Sequence, residues 1–498
     1  MELRDPRAQA VSAWPAAAAR LALLAGPTAL AFFSGGYFED GRLIAGIVAW
    51  AALAVLAVVV ADPLPRGAAV LWALGGLAAL TVWTLISNDW APLAGPAGDA
   101  AERCALYLGA LAAGTLAWRG SRAWARAVEP ALAAGTLIVV GYGLAGRLLP
   151  GIVHETASFT ASGRLEQPLT YWNAMGALAA IGVVLCARLA GDRTRPRGLR
   201  ATAAAVTPIL ATGLYTTFSR GAAGACGAGL LVLVLLAPTW AQLRAAAVSV
   251  EAGAVAVIVV SRLTGVSSLH GSLSHRETQG ALMLAVLAAL GIVALAVHAY
   301  GTRAEDEGRL DLGPLPLARW ARIGLVAATI GVAALPYALA IATERGHEPA
   351  TVAFGATTAR YGSLGSNRYA YWRVAAHTFA DHPLKGAGAG SFRVEWLARR
   401  AFDEPVRDAH SLELQTLAEL GLVGFAALLA LLGGVAFAAR RAWQLDPALA
   451  TGPAAATAVW LVHAGVDWDW EMPALTLVAA VLAGLLLARA APQRPPSA

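Results

Sequence analysis

The chain has 498 residues, of which 58% are hydrophobic and 14% charged, with three cysteines in all. Its mean hydropathy is +0.60, which excludes an ordinary soluble domain, and the cysteines, with no CxxC, read as buried thiols. The formal net charge is +6, but the arginines stand between apolar runs and not on one basic face, so the excess reports membrane topology and argues against nucleic acid.

Apolar runs of roughly 18 to 25 residues, the length that crosses a hydrocarbon core of about 30 Å, recur along the chain and predict about fourteen helices. The opening MELRDPRAQAVSAWP mixes acids with proline and lacks a small-residue cleavage site, so the first span reads as an uncleaved anchor. Assigning loops alternately to two sides puts Arg4, Arg7, Arg66, Arg119, Arg122, Arg126, Arg193, Arg195, Arg197 and Arg200 in one set. Arg244, Arg303, Arg309, Arg319, Arg322, Arg440, Arg441 and Arg494 continue it. By the positive-inside rule this face is cytoplasmic, and both termini lie there. The opposite set begins with FFSGGYFEDGR and NDWAPLAGPAGDAAER, acid-balanced and aromatic, and holds two long segments, 150–171 and 343–411.

Between Ala201 and Trp240 the only charge is Arg220. One helix over that run would be about 60 Å long, twice a membrane core, so the run must fold back on itself. One span's worth of residues ends at TTFSRG, with Gly221 as the expected helix stop, which puts Arg220 in an outer turn with Thr216, Thr217 and Ser219. Hydroxyls beside a guanidinium suit a phosphate. Gly221, Gly224, Gly227 and Gly229 then let a neighbour approach the next helix closely.

In the long outer segment, Tyr371, Trp372, Ala375, Ala376 and Phe379 recur at helical spacing behind Asn367 as N-cap, predicting a helix on the outer membrane surface. Arg373 and His377 would form its wet face. KGAGAGSF reads as a tight turn, since no strand precedes it and no GK[ST] follows. The chain's only lysine, Lys385, bounds that turn or touches a phosphate. His410 and Glu413 stand three apart at a helix start, where the carboxylate would orient the imidazole. In VDWDWE, Asp467, Trp468, Asp469 and Trp470 read equally as interfacial anchors or as acceptor-sugar contacts.

Taken together, TTFSRGAAG (216–224), SNRYAYWRVAAHTFADHPLKGAGAGSF (366–392) and DAHSLELQTLAELGLVGF (408–425) resemble the O-antigen ligase and polymerase superfamily of bacterial membrane proteins, over a core of residues 209–433. GRLEQPLTYWNAMG (163–176) resembles the segment that often precedes this core, and HAGVDWDWEMPAL (463–475) a variant tail. The resemblance implies one polytopic all-α membrane domain over residues 1–498, GT-C-like, whose extracytoplasmic loop 343–411 contains short helices. It implies an inverting, metal-independent glycosyltransfer at the outer face of the cytoplasmic membrane, with no cofactor. The donor is a glycan on undecaprenyl diphosphate, and the acceptor is a hydroxyl of a sugar or surface polymer. Partners are thus a lipid-linked oligosaccharide, the acceptor glycan and membrane lipids, with no nucleic acid. Carried onto this chain, Arg220 binds the donor diphosphate and His410 acts at the acceptor hydroxyl. Arg164, Asn173, Ser219, Arg368, Arg373 and Glu413 complete the substrate-binding set. Ligase and polymerase activity both remain open. The other function class is a multi-pass transporter of a small anion or lipid-linked substrate, which would show related halves, interrupted helices and midplane charges.

Overall fold

Inside a hydrocarbon slab only intrachain hydrogen bonds satisfy the backbone, so uninterrupted apolar runs of this length become helices. The computed structural model describes residues 6–60, 66–154, 158–310, 313–344, 355–362 and 365–491, and the described residues are helical throughout apart from turns and connectors. The helices are α1 (Pro6–Ala31), α2 (Glu39–Val59), α3 (Ala68–Ile86), α4 (Ala94–Ala117), α5 (Arg122–Leu148), α6 (Trp172–Gly191), α7 (Arg197–Thr216), α8 (Arg220–Leu236) and α9 (Trp240–Arg262). They continue with α10 (Thr264–Ser267), α11 (Leu273–Asp306), α12 (Arg319–Glu344), α13 (Ala359–Gly362), α14 (Arg368–Asp381), α15 (Phe392–Arg399), α16 (Leu412–Leu445), α17 (Pro447–Ala464) and α18 (Pro473–Ala490). Nine helices among the described residues are long and apolar enough to cross a membrane, and α8 is a shorter apolar helix beside them. The protein is a polytopic helical membrane bundle.

Contacts between loops define two ends. At one end Arg122 pairs with Asp446 at 2.9 Å, Arg195 with Glu129 at 2.5 Å, and Arg193 with Glu305. At the other, the 158–171 connector, the α7–α8 turn, the long loop and the α17–α18 turn meet: Leu165 N donates to Thr216 O at 2.9 Å, and Ala356 N to Ser162 O at 2.9 Å. Between the ends, α6 is buried over its whole apolar window, whereas α12 is almost entirely uncovered. The cause is in the sequence WNAMGALAAIGVVLCARLAG, whose small side chains admit α5, α7, α8, α9 and α17 together. On α18, a Cβ at Gly484 would lie 2.9 Å from the backbone of Gly114 on α4. Two of the most buried helices, α6 and α18, thus open onto the same end. Cys104, Cys186 and Cys226 are free and buried in the bundle.

Two expectations need correction. Gly221 is not the stop of the first span: α7 ends at Thr216, Phe218 takes the left-handed conformation (φ 52°), and Gly221 lies inside α8. Ser219 supplies the turn's chemistry by capping α8 through its hydroxyl to Ala222 N. Asn367 precedes α14 but makes no cap bond; its backbone is left-handed and its amide reaches towards Glu404. The helix itself forms as expected, but it packs on α12, α15 and α16 through Tyr371, Trp372, Val374 and Ala375.

The glycine-rich turn has a structural purpose that its sequence did not show. Gly421 breaks α16 with φ 63°, and the 386–390 turn inserts into the break. Ala387 N and Gly388 N donate to Ala418 O and Glu419 O at 3.0 and 2.8 Å, satisfying carbonyls that the break frees. A Cβ on Gly386 would lie 2.2 Å from Glu419 O, so only glycine fits this approach.

Candidate functional site

A buried carboxylate is costly unless donors surround it, and Asp467 has four. On one oxygen it accepts from Tyr171 Oη at 2.5 Å and from Trp468 N at 2.9 Å. On the other it accepts from Asn173 Nδ2 and from Arg368 Nη2, both at 2.7 Å. These groups come from the start of α6, the α17–α18 turn and the start of α14, so Asp467 joins three segments far apart in sequence. Trp468 stacks on Tyr171 with ring centroids 4.0 Å apart, fixing the turn against α6. Burial pushes the Asp467 carboxyl up, but Arg368, His410 and His463 together hold it below the usual range. Burial and the adjacent Asp467 keep the Tyr171 phenol protonated well above its ordinary range.

Around this hub gather four guanidiniums. Arg164 is buried in the 158–171 connector, lies over the Trp172 ring at 3.5 Å and donates to Ala161 O and Thr160 O at 2.7 and 2.6 Å. Burial, reinforced by the neighbouring Arg360, brings its pKa down to about 10. Arg220, half-buried at the first position of α8, donates to Gly365 O at 2.9 Å and so ties the turn to the long loop. Arg360 is held beside it by Tyr361, which stacks on Tyr215 and donates to Tyr215 O at 3.0 Å. Burial lowers the Arg360 pKa, and Arg220 and Arg368 lower it further. Like charges within electrostatic reach of one another make this end of the bundle suited to an anion.

His410 stands beside the hub, half-buried and left-handed (φ 53°). Its Nδ1 lies 3.0 Å from Asp408 O; a carbonyl only accepts, so Nδ1 carries the proton and Nε2 the lone pair. Burial lowers the imidazole pKa, with Asp467 opposing and Arg368 adding to the shift. The ring is therefore neutral at pH 7 and able to accept a proton.

Of the residues singled out in the sequence, Arg164, Asn173, Arg220, Arg368 and His410 meet at this end of the bundle. Asn173 spends its amide nitrogen on Asp467 and, at 2.8 Å, on Tyr171, so it supports the hub. Ser219 is buried as the α8 cap. Glu413 does not orient His410: α16 begins at Leu412 behind the Ser411 cap, His410 lies outside it, and the Glu413 carboxylate accepts from Ser411 Oγ at 3.2 Å. Arg373 lies on the exposed face of α14, opposite the side that packs. Lys385 sits 4.9 Å from the Trp90 ring, a cation–π contact near the glycine turn.

Sequence reasoning missed Tyr171, Arg360 and Arg147. Tyr171 stands two residues before Asn173 in TYWN, but its partner is 296 residues away. Arg147, wholly buried, donates to Gly163 O at 2.7 Å and to Val266 O and Ser267 O at 3.2 and 3.1 Å, bracing the loop that carries Arg164. An arginine at the site end of α5 runs against the expected charge bias of the loops, and that was its available signal.

Residues 277–429 match the family model described as O-Antigen ligase. No curated protein matches the chain. The matched segment lies inside the expected 209–433 core and contains the long loop with Arg360, Arg368, Arg373, His410 and Glu413, while Arg164, Arg220 and Asp467 fall outside it. Over residues 277–429 the chain is thus similar to the O-antigen ligase family, and this likeness supports the resemblance read from its motifs.

Proposed function

We propose that the protein transfers a glycan from a polyprenyl diphosphate, undecaprenyl diphosphate in bacteria, to a hydroxyl of a sugar or surface polymer at the outer face of the cytoplasmic membrane. The observation that carries this reading is the meeting of Arg164, Arg220, Arg360 and Arg368 with His410 and Asp467 at one end of the bundle. A lipid diphosphate presents two phosphoryl groups at the depth of the headgroups, and a group of guanidiniums at a bundle end suits them. The opposite end carries most of the loop arginines, which supports a cytoplasmic placement for that end and for both termini.

In the reaction, the acceptor hydroxyl gives its proton to His410 Nε2 as its oxygen bonds to the anomeric carbon. The bond from that carbon to the diphosphate oxygen breaks, and the electron pair leaves with the diphosphate. Attack opposite the leaving group inverts the anomeric centre. Arginines stabilise the growing charge on the leaving oxygen, each charge-assisted hydrogen bond contributing about 1.5–3 kcal/mol. Asp467 is too fully occupied by donors to act as the base. It instead stabilises the imidazolium that forms on His410, the part a carboxylate plays beside a catalytic histidine elsewhere. A transporter reading has less support, because the cluster sits at a bundle end and not at the midplane.

The test is glycan transfer in membranes supplied with the native lipid-linked donor. Arg220→Ala or His410→Ala should abolish transfer while insertion is preserved, and full activity in either variant would refute the assignment.

A further inference from the structure

Behind Asp467 lies a second histidine–carboxylate pair that the reaction above leaves unused. His463, in the last turn of α17, is wholly buried, and its Nδ1 meets Asp469 Oδ2 at 2.6 Å. Asp469 is also wholly buried, and Thr476 of α18 donates to its backbone carbonyl at 2.7 Å, pinning the turn. Among the described residues, His463 Nε2 and Asp469 Oδ1 have no hydrogen-bond partner. Buried polar atoms are seldom left unsatisfied, because each costs its full desolvation, and two on adjacent partners call for a ligand.

The direction of Nε2 identifies that ligand's place. A Cβ on Gly221 would lie 3.4 Å from both Nε2 and Cδ2 of His463. Gly221 is the second residue of α8, directly after Arg220, in a helix start that carries a partial positive charge although the Ser219 cap takes Ala222 N. With no side chain on Gly221, Nε2 of the buried ring packs directly against this helix start. When the buried pair is ionised, Nδ1–H is held by Asp469 and Nε2 carries the second proton, which makes Nε2–H a charge-assisted donor. Asp467 and Arg368 stand close enough to act electrostatically on the pair.

We propose that His463, held by Asp469, is a donor-side ligand of the site: its Nε2–H and the first turn of α8 bind a phosphoryl oxygen of the lipid diphosphate next to Arg220. This inference rests on the diphosphate-donor reading. It divides the two histidines by role, His410 serving the acceptor hydroxyl and His463 the leaving diphosphate. No proton need move at His463, since a hydrogen bond to the departing oxygen stabilises the charge left there.

The experiment is a binding titration of the full-length protein in detergent with undecaprenyl diphosphate, with undecaprenyl monophosphate as the control. Wild type should bind the diphosphate more tightly, and Arg220→Ala, His463→Ala and Gly221→Ala should each weaken that binding by about 10- to 100-fold. Gly221→Ala keeps the claim testable if His463→Ala does not fold: alanine is favoured over glycine within a helix, and its methyl would cover Nε2 at an ordinary contact distance. Diphosphate binding at wild-type strength in Gly221→Ala, with Arg220→Ala weakened, would overturn the role of His463 and leave the donor reading standing. If wild type does not prefer the diphosphate, the donor reading itself fails.

Discussion

The two ends of the bundle use arginine in different proportions. At the basic end, guanidiniums meet carboxylates: Arg195 lies on Glu129 at 2.5 Å with both groups buried, Arg188 on Asp192 at 3.3 Å, and Arg122 on Asp446 at 2.9 Å. At the site end, Arg368 meets Asp467 at 2.7 Å, Arg147, Arg164 and Arg220 donate to backbone carbonyls, and Arg360 lies within electrostatic reach of Arg220 and Arg368. A carbonyl satisfies a guanidinium's N–H groups without cancelling its charge. Ion pairs at the basic end therefore hold helices together, and the carbonyl bonds of the site-end arginines tie its loops to one another.

Substitutions can break this contrast. The largest effect is expected at the site: His410→Ala should lower glycan transfer by about 10²- to 10⁴-fold, and Arg220→Ala by about 10²- to 10³-fold. Thermal denaturation of either variant should stay near wild type. At the basic end the pattern should reverse. Arg195→Ala leaves Glu129 buried without its closest cation and should cost about 3–5 kcal/mol of stability, read as an earlier thermal transition in detergent. The KM for donor in the surviving fraction should be unchanged.

A smaller effect concerns pH. His410 must be neutral to accept a proton, and its pKa lies below the ordinary 6.5. Activity should thus be level at and above neutrality and fall only as pH drops through that lowered value. An acid limb of kcat/KM centred above pH 6.5 would contradict the assignment. The smallest effect is expected for Arg373→Ala, on the exposed face of α14: transfer should change by less than about 2-fold. A large loss there would mean that a substrate reaches a face the structure leaves outside the cluster.

How far the sequence disclosed this arrangement depends on the range of the interaction. Span arithmetic divided the Ala201–Trp240 run into two helices with Arg220 at the turn, because helix length against membrane thickness is a local constraint. It misplaced the stop at Gly221, since Phe218 adopts the left-handed conformation that glycine usually supplies. Local spacing also suggested Glu413 as the partner of His410. That failed because Ser411 caps α16 and puts His410 outside the helix, where the three-residue rule does not apply. Asp467 was visible as an interfacial acid, but its four donors come from three segments, and Tyr171 and Asn173 lie 296 and 294 residues away. Packing of the small-residue helix α6 brings them together, and no local pattern encodes that meeting.

The central claim, that this end of the bundle moves a glycan off a lipid diphosphate, is tested most directly by the lipid-linked glycan pool of a strain lacking the protein. Deletion should cause undecaprenyl-diphosphate-linked glycan to accumulate, wild-type protein should clear it, and His410→Ala inserted at equal abundance should not. An unchanged pool on deletion, or clearance by His410→Ala, would contradict the account.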